Sequence, residues 1–429
     1  MNSPAGHYRA GQIWRMGVPV ATPVGARDFL TGLSALIARR EVYISAFEND
    51  TRDLLGTPYV RGTNSGRAAL FFALQAMKEL SSRDEVVVPA FVCPSVGRAV
   101  IKAGLKPVLC DVTSSGSGLD AKSLERTLNR RTLAVVAAHL YGYPCDIEPI
   151  LKLSHSKGAM VIEDGAQAFG AKLHERCVGT LADVGVFSFG MSKVLWSING
   201  GLITSSNPEL IAHVDAVSAI SPKPSRFREG VDLAKFGVLA ILVRSHHLSL
   251  LSAVWSGAIR GRSDCEDFNA AVCPPSNAGV GSALLTKLSE ITDMRKRNAS
   301  YFADCLSGLD GLILPDVAEG GKPVYLRFPI VVKDTIVKQK IIANLRGRGI
   351  NVSEMYTRRS YEALRDLTGA NSGHPHTEYL IERMLNLPTH PFMRECDLNA
   401  TVEAFESARG RGTRVAGFCA VPQAKANAN

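Results

Sequence analysis

The chain of 429 residues contains no CxxC pair and no histidine cluster beside its nine cysteines, Cys93, Cys110, Cys145, Cys177, Cys265, Cys273, Cys305, Cys396 and Cys419. Cysteines scattered in this way argue against a zinc site and fit a reducing cytoplasm. The N-terminus has no basic start followed by an apolar run, so it does not read as a signal peptide. The run FGVLAILV, Phe236 to Val243, stops at Arg244 and His246-His247, and eight residues cannot span a bilayer. No basic stretch with interleaved aromatics appears, so the formal net charge of +9 and the pI near 9.1 do not point to nucleic acid. A membrane face and a phosphorylated small molecule are the anionic partners that this charge still allows.

Hydrophobic residues make up 46% of the chain and charged ones 21%, an ordinary globular balance at a length that usually holds two or three cores. From about Arg67 to Leu202 helical and strand patterns alternate. Helices are expected at 68–80, 95–103, 119–128 and 147–157, and strands at 85–88, 107–111 and 133–138, with AMVIED ending at Asp164. Such alternation implies βαβ units around a mostly parallel sheet covered on both faces, with ligands at the carboxyl ends of the strands.

A different rhythm begins near Asn277. Leu284, Leu288, Ile291, Met294 and Tyr301 recur close to 3.6 residues and predict one long helix over 279–306. A strand at Val324 to Val332, a helix from Thr335 to Arg346 with Asp334 as N-cap, and a strand from Ile350 complete a smaller α+β unit. The expected division is an N-terminal arm at 1–30, a large domain at 31–280, a small domain at 281–412 and a disordered tail at 413–429. Within the large domain, 215–262 carries seven Lys/Arg against three Asp/Glu and reads as a basic helical insert with its helix around Leu233 to Trp255. It is either a solvated cap or a wall of the site that attracts a phosphorylated substrate.

In FSFGMSKVLWSINGG, Lys193 stands among apolar and small residues. A lone lysine in a turn is usually solvated, but Asp164 ends a buried-looking strand 29 residues earlier. Pyridoxal phosphate (PLP) requires this combination: a lysine to bond its aldehyde carbon, an anion for its ring nitrogen and a cradle for its phosphate. The cradle has two candidate parts, the turn Gly62 to Arg67 running into a helix and Ser188, five residues before the lysine.

Together these stretches resemble the DegT/DnrJ/StrS sugar aminotransferases. SGRAALFFAL (65–74), VVVPAFVCPSVGRAVIKAGLKPVLCDV (86–112), HLYGYPCDIEPI (139–150), EDGAQAFGA (163–171) and GTLADVGVFSFGMSKVLWSINGG (179–201) are similar to that family's motifs in the same order. AGVGSALLTKLSEITDMRKRNASYF (278–302) resembles its dimer-side helix, and LPTHPF its C-terminal LPlhP. The resemblance implies a PLP fold-type-I aminotransferase of the α/β class, with a mostly parallel mixed sheet between helices and a smaller α+β C-terminal domain. Lys193 would be the catalytic lysine. Asp164 would pair with the pyridine nitrogen, and Gln167 would lie against the ring or its 3-hydroxyl. Ser188 and the backbone of Gly66 and Arg67 would hold the phosphate, with Asn269 of a neighbouring subunit a loose further candidate.

The implied reaction moves an amino group from glutamate or glutamine to the keto group of a nucleotide-linked sugar, in a cytoplasmic homodimer with no metal. Three positions depart from the family pattern. Arg67 replaces a threonine, Cys93 replaces an aromatic that stacks on the ring, with Phe91 a poor substitute, and Ser197-Ile198-Asn199 replaces an acidic lead-in. They put the substrate in doubt rather than the cofactor. Relatives that dehydrate deoxysugars carry histidine where this chain has Lys193. A ketocyclitol acceptor and a non-catalytic regulator that uses the fold only for binding are the alternative readings.

Overall fold

The computed structural model describes residues 22–38, 40–244, 268–369 and 373–408. Helices α1 (Ala26–Ile37) and α2 (Arg40–Leu55) lead into strand β1 (Tyr59–Thr63), and β1 turns at Asn64-Ser65 into α3 (Gly66–Leu80). The Ser65 side chain accepts the Ala68 N–H at 3.2 Å and caps α3. Small and apolar residues from Ala68 to Met77 bury α3 against the sheet.

Strand β2 (Glu85–Pro89), helix α4 (Pro94–Lys102), β3 (Lys106–Cys110), α5 (Ala121–Thr127), β4 (Thr132–Ala138), α6 (Glu148–Ser156) and β5 (Met160–Asp164) then alternate, close to the expected bounds. Two strands the sequence reading did not single out follow, β6 (Val184–Ser188) and β7 (Gly201–Ser205). The seven strands form one sheet in the order β1-β7-β6-β5-β4-β2-β3. The run β6 to β3 is parallel, while β7 pairs antiparallel with both β6 and β1. All seven residues of β4 are buried, as a parallel strand covered on both faces requires. Register aligns Ala138, Asp164 and Val186, so the carboxyl ends of three central strands share one edge.

After α7 (Pro208–Ala219) comes α8 (Arg226–Arg244), where the basic insert was expected. The rest of that expected helix, the tail and most of the N-terminal arm lie outside the described residues. The long helix predicted over 279–306 is two helices, α9 (Pro275–Leu285) and α10 (Leu288–Leu306). The 3.6-residue pattern runs through the break because Leu284, Leu288 and Ile291 are buried on both sides of it. At the junction Lys287 Nζ reaches the buried Asp28 carboxylate at 2.5 Å, tying the break to the first turn of α1.

The C-terminal part adds a three-stranded antiparallel sheet, β8 (Leu312–Ile313), β9 (Arg327–Val332) and β10 (Met384–Pro388), with β9 in the middle. Helices α11 (Thr335–Gly347), α12 (Arg358–Thr368), α13 (Pro375–Arg383) and α14 (Glu395–Ala408) surround it. Asp334 caps α11 as expected, accepting the Ile336 and Val337 N–H. Period-two alternation gives β9 two uses: Phe328, Ile330 and Val332 enter the small core, whereas Val331 joins the core of the large sheet. The strand expected from Ile350 is only extended chain, with Ser353 making a single bridge to Asn386.

Candidate active site

Two close approaches bring β6, β7 and the start of α3 together. A Cβ on Gly66 would stand 2.6 Å from Ser188 Cβ, and one on Gly201 would stand 2.4 Å from the Ser65 carbonyl oxygen. Only glycine at both positions lets the helix terminus sit directly on the strand ends. Ser65 takes the Ala68 and Ala69 N–H, so the first two amides of α3, those of Gly66 and Arg67, stay outside the helical ladder beside Ser188. Free amides, the positive end of the helix dipole and a hydroxyl are groups that suit an anion.

The loop after β6 carries Lys193 and is held on both sides of it. The Lys193 N–H donates to Gly190 O, and Val194, Leu195 and Trp196 are buried, with the Trp196 ring 4.8 Å from Phe236. Farther along, Asn277 Nδ2 donates to Asn199 O at 2.7 Å, and Ile198 takes a left-handed φ of 62°. A loop fixed in this way sets the backbone position of the partly exposed Lys193.

Asp164 ends β5 facing the same space. Burial raises its carboxyl pKa, and the nearby Lys193 ammonium opposes that rise, as does the Ala166 N–H bonded to Asp164 Oδ1 at 3.0 Å. The strand end is braced from below by His139 and Glu163. His139 N–H donates to Asp164 O, while its ring accepts the Cys145 N–H at Nδ1 and donates from Nε2 to Glu163. Glu163 in turn accepts the N–H of Gly179, Leu181 and Ala182.

Gln167 is tied at both ends of its amide. Its Oε1 accepts the Tyr141 N–H at 3.0 Å and its Nε2 donates to the Tyr356 hydroxyl. Tyr141 and Tyr356 both hold left-handed φ, 60° and 58°, a strained choice for bulky residues and one that clusters at functional sites. Cys93 is partly exposed at the N-terminus of α4, and Phe91 is buried with its ring edge-on to Tyr356 at 5.2 Å. Arg67 turns its guanidinium over the Phe268 ring at 5.3 Å, and Lys102 lies at the same distance from that ring. Asn269 is exposed, and its carbonyl accepts from Asn64 Nδ2 at 2.8 Å beside the α3 turn of its own chain.

The model of the DegT/DnrJ/EryC1/StrS aminotransferase family matches residues 35–238 and 275–406. The chain belongs to that family. A UDP-N-acetyl-3-dehydro-alpha-D-glucosamine 3-aminotransferase of Acidithiobacillus ferrooxidans is 29% identical over 373 residues, covering 86% of this chain and 90% of that one. A GDP-perosamine synthase of Caulobacter vibrioides is 26% identical over 378 residues, covering 85% and 89%. Among solved structures, the aminotransferase TlmJ from Streptoalloteichus hindustanus superposes with a TM-score of 0.73 at 24% identity, covering 92% of this chain and 99% of that one.

Members of the DegT/DnrJ/EryC1/StrS family are PLP-dependent aminotransferases, and the residues of this chain fit that cofactor. The cradle at Gly66 is closed to any side chain and open to an anion. A half-buried carboxyl at Asp164, whose pKa is raised by desolvation, suits a cationic ring nitrogen that would restore its charge. The family match lapses between 238 and 275, where much of the basic insert lies.

Sequence reasoning missed Tyr141 and Tyr356. Tyr141 lay within the quoted HLYG stretch and could have been found there. Tyr356 sits in an irregular segment of the C-terminal part, and neither periodicity nor local motif marks it.

Proposed function

We propose that the protein transfers an amino group from glutamate or glutamine to a keto group of a nucleotide-linked sugar. The observation that carries this reading is the shared edge of the sheet, where β5 ends at Asp164, β6 ends at Ser188 against the start of α3, and the next loop brings Lys193 near enough for its charge to oppose the desolvation of the Asp164 carboxyl. The relatives support the acceptor class, since they include enzymes named for UDP-, GDP- and dTDP-linked sugars.

When bound, PLP supplies an electron sink and carries the amino group between the two substrates. On this reading the Lys193 amine holds and moves the proton at the reacting substrate carbon, as a positioned general acid and base. Asp164 keeps the ring nitrogen protonated, and Gln167, fixed by Tyr141 and Tyr356, sits against the ring. Ser188 and the amides of Gly66 and Arg67 take the phosphate. Asn269 stays a candidate for that anion, contributed across a homodimer, and the basic insert at 215–262 stays a candidate for the sugar's diphosphate.

The test is chemical. Protein purified with PLP is expected to absorb in the visible, and borohydride is expected to fix the cofactor covalently to Lys193. A panel of nucleotide ketosugars incubated with glutamate should release 2-oxoglutarate with at least one of them. Cofactor that attaches elsewhere, or no turnover across the panel with either donor, would overturn the reading. Light scattering should show a dimer.

A further inference from the structure

Helix α8 is apolar on two sides, a pattern that ordinarily belongs to an enclosed helix. Leu233, Phe236 and Val243 enter the core beside the Lys193 loop, with Phe236 against Trp196. Phe227, Val231, Val238 and Ile241, spaced by four, seven and three residues, make a second stripe on the other side, and all four are exposed. Helix α1 lies antiparallel beside α8: Phe29 meets Gly237 and Leu36 meets Gly230, where a Cβ would stand 2.7 and 3.6 Å away. Asp28, Gly32 and Ala35 take the core side of α1, which leaves Leu30, Leu33 and Ile37 on the outer side next to the α8 stripe. Ile37, Phe227 and Ile241 are 73%, 83% and 69% exposed. Contiguous apolar side chains standing this clear of the surface mark a place where something binds.

The charges around the patch decide what that is. Among the described side chains of α1 and α8, the exposed ions are the cations Arg27, Arg226, Arg228 and Lys235. Asp28 and Glu229 are buried, and the one acid at the surface, Asp232, lies 3.8 Å from Lys235. Arg226 and Arg228 flank Phe227 in sequence, and Arg228 and Lys235, seven residues apart, run along one edge of the stripe. A second copy of this face would bring cations toward cations, because a two-fold contact uses the same patch twice. An anionic lipid surface complements both features at once: apolar side chains enter the acyl boundary, and lysine and arginine meet the headgroup phosphates. No described helix is long and apolar enough to cross a membrane, so the pair would lie along it. The family match starts at 35 and breaks off at 238, so most of α1 and the last turns of α8 lie outside the part shared with the relatives.

We infer that the outer face of α1 and α8 docks the protein on an anionic phospholipid membrane. The inference goes beyond the proposed transamination and does not depend on it, since α8 turns its opposite face to the Lys193 loop. The apolar stripe supplies the hold on the membrane, and the cations make it selective for negative headgroups.

Flotation of the protein with lipid vesicles tests it. The parent is expected to rise with vesicles of phosphatidylcholine and phosphatidylglycerol, much less with phosphatidylcholine alone, and to be released as salt is raised. Phe227→Ser combined with Ile241→Ser should weaken the binding by about tenfold or more, and its melting temperature should match the parent's, because both side chains face water in the free protein. Leu30→Ser combined with Ile37→Ser probes the same face from the other helix and should act alike. Arg226→Gln combined with Arg228→Gln should weaken binding to the anionic vesicles by about tenfold and leave the neutral ones unaffected. A parent that floats with neither lipid, or equally with both, overturns the inference, as do apolar variants that float like the parent. A lower solution mass of Phe227→Ser/Ile241→Ser by light scattering would give the face to a second copy, and a lower melting temperature would give it to another part of the same chain. Either result overturns the inference. None of these readouts needs turnover or bound cofactor, so their failure is distinct from failure of the proposed function.

Discussion

The two walls of the site are built on different plans. One is made of strand ends and a helix start within a single sheet: Gly66, Asp164, Ser188 and Lys193 lie on elements that hydrogen-bond to one another or touch directly. The other is assembled by packing between remote parts of the chain, with Tyr356, Ser353 and Arg327 of the C-terminal part meeting Tyr141 and Gln167 of the large sheet. The first wall places backbone amides and charged groups where a cofactor needs them. The second supplies side chains that can change with the substrate while the sheet stays as it is. Substitutions in the first should therefore remove chemistry, and those in the second should alter what is bound.

The largest effect expected is at Lys193. Lys193→Ala removes the group proposed both to bond the cofactor and to move the proton, and turnover should fall by about 10³-fold or more. Single-turnover release of 2-oxoglutarate measures it, and a parent-like rate would erase the contrast between the walls. Melting temperature should barely change, because the side chain is partly exposed and the loop is held by Val194 to Trp196.

Asp164→Asn comes next, with a loss of about 10²-fold from a neutral partner at the ring nitrogen. The same variant carries a pH signature in the cofactor-free protein. Burial raises the Asp164 pKa above its ordinary 3.8, so the folded state holds the proton more tightly than the unfolded chain does. Its contribution is fully present below 3.8 and is lost as pH rises through the raised value, so stability should decline over that interval. Denaturant titrations at several pH values should show a shallower decline in Asp164→Asn. Some slope should survive, since Glu48, buried beside the Gly62 N–H, is raised in the same direction. An unchanged slope would mean that the Asp164 carboxyl is solvated.

These first residues were legible because their signals are local. A strand ending in Asp, a Gly/Ser turn before a helix and a lysine just past FSF each occupy a few consecutive positions, and the βαβ rhythm alone places them on one edge. The long helix predicted over 279–306 is broken for a reason its local pattern does not carry: the apolar spacing continues across Lys287, while the break is held by a contact with Asp28, 259 positions away in sequence. Tyr356 and Arg327 had no local mark. A left-handed tyrosine is an outcome of packing, and an arginine in VYLRFPIVV looks like any polar residue at a strand start until its burial is known.

Gly66→Ala probes the first wall without touching a charge. Its Cβ would meet Ser188 Cβ at 2.6 Å and the Phe187 carbonyl at 3.2 Å, so strand and helix must separate. Overpacking of this kind costs about 1–3 kcal/mol, which should appear as roughly a tenfold to hundredfold weaker PLP affinity. Fluorescence titration of the apoprotein with PLP reads it. Unchanged affinity would show that the amides of Gly66 and Arg67 do not hold the phosphate.

The smallest effect is expected at the join between the walls. Tyr356→Phe removes the hydroxyl that accepts from Gln167 Nε2 and leaves the ring against Phe91 and Tyr141 in place. The side-chain N–H of Gln167 then lacks its acceptor, at a cost of about 1 kcal/mol, or roughly fivefold in an equilibrium. If the bond only braces the fold, the loss should appear in melting temperature, with PLP affinity and the glutamate KM unchanged. If Gln167 is held in place for the ring, as the geometry on both sides of its amide suggests, PLP affinity should fall about fivefold, and the bound cofactor's visible absorption should shift. Tyr356→Phe with a normal cofactor spectrum and a raised glutamate KM alone would move Tyr356 wholly to the substrate side and make the two walls independent.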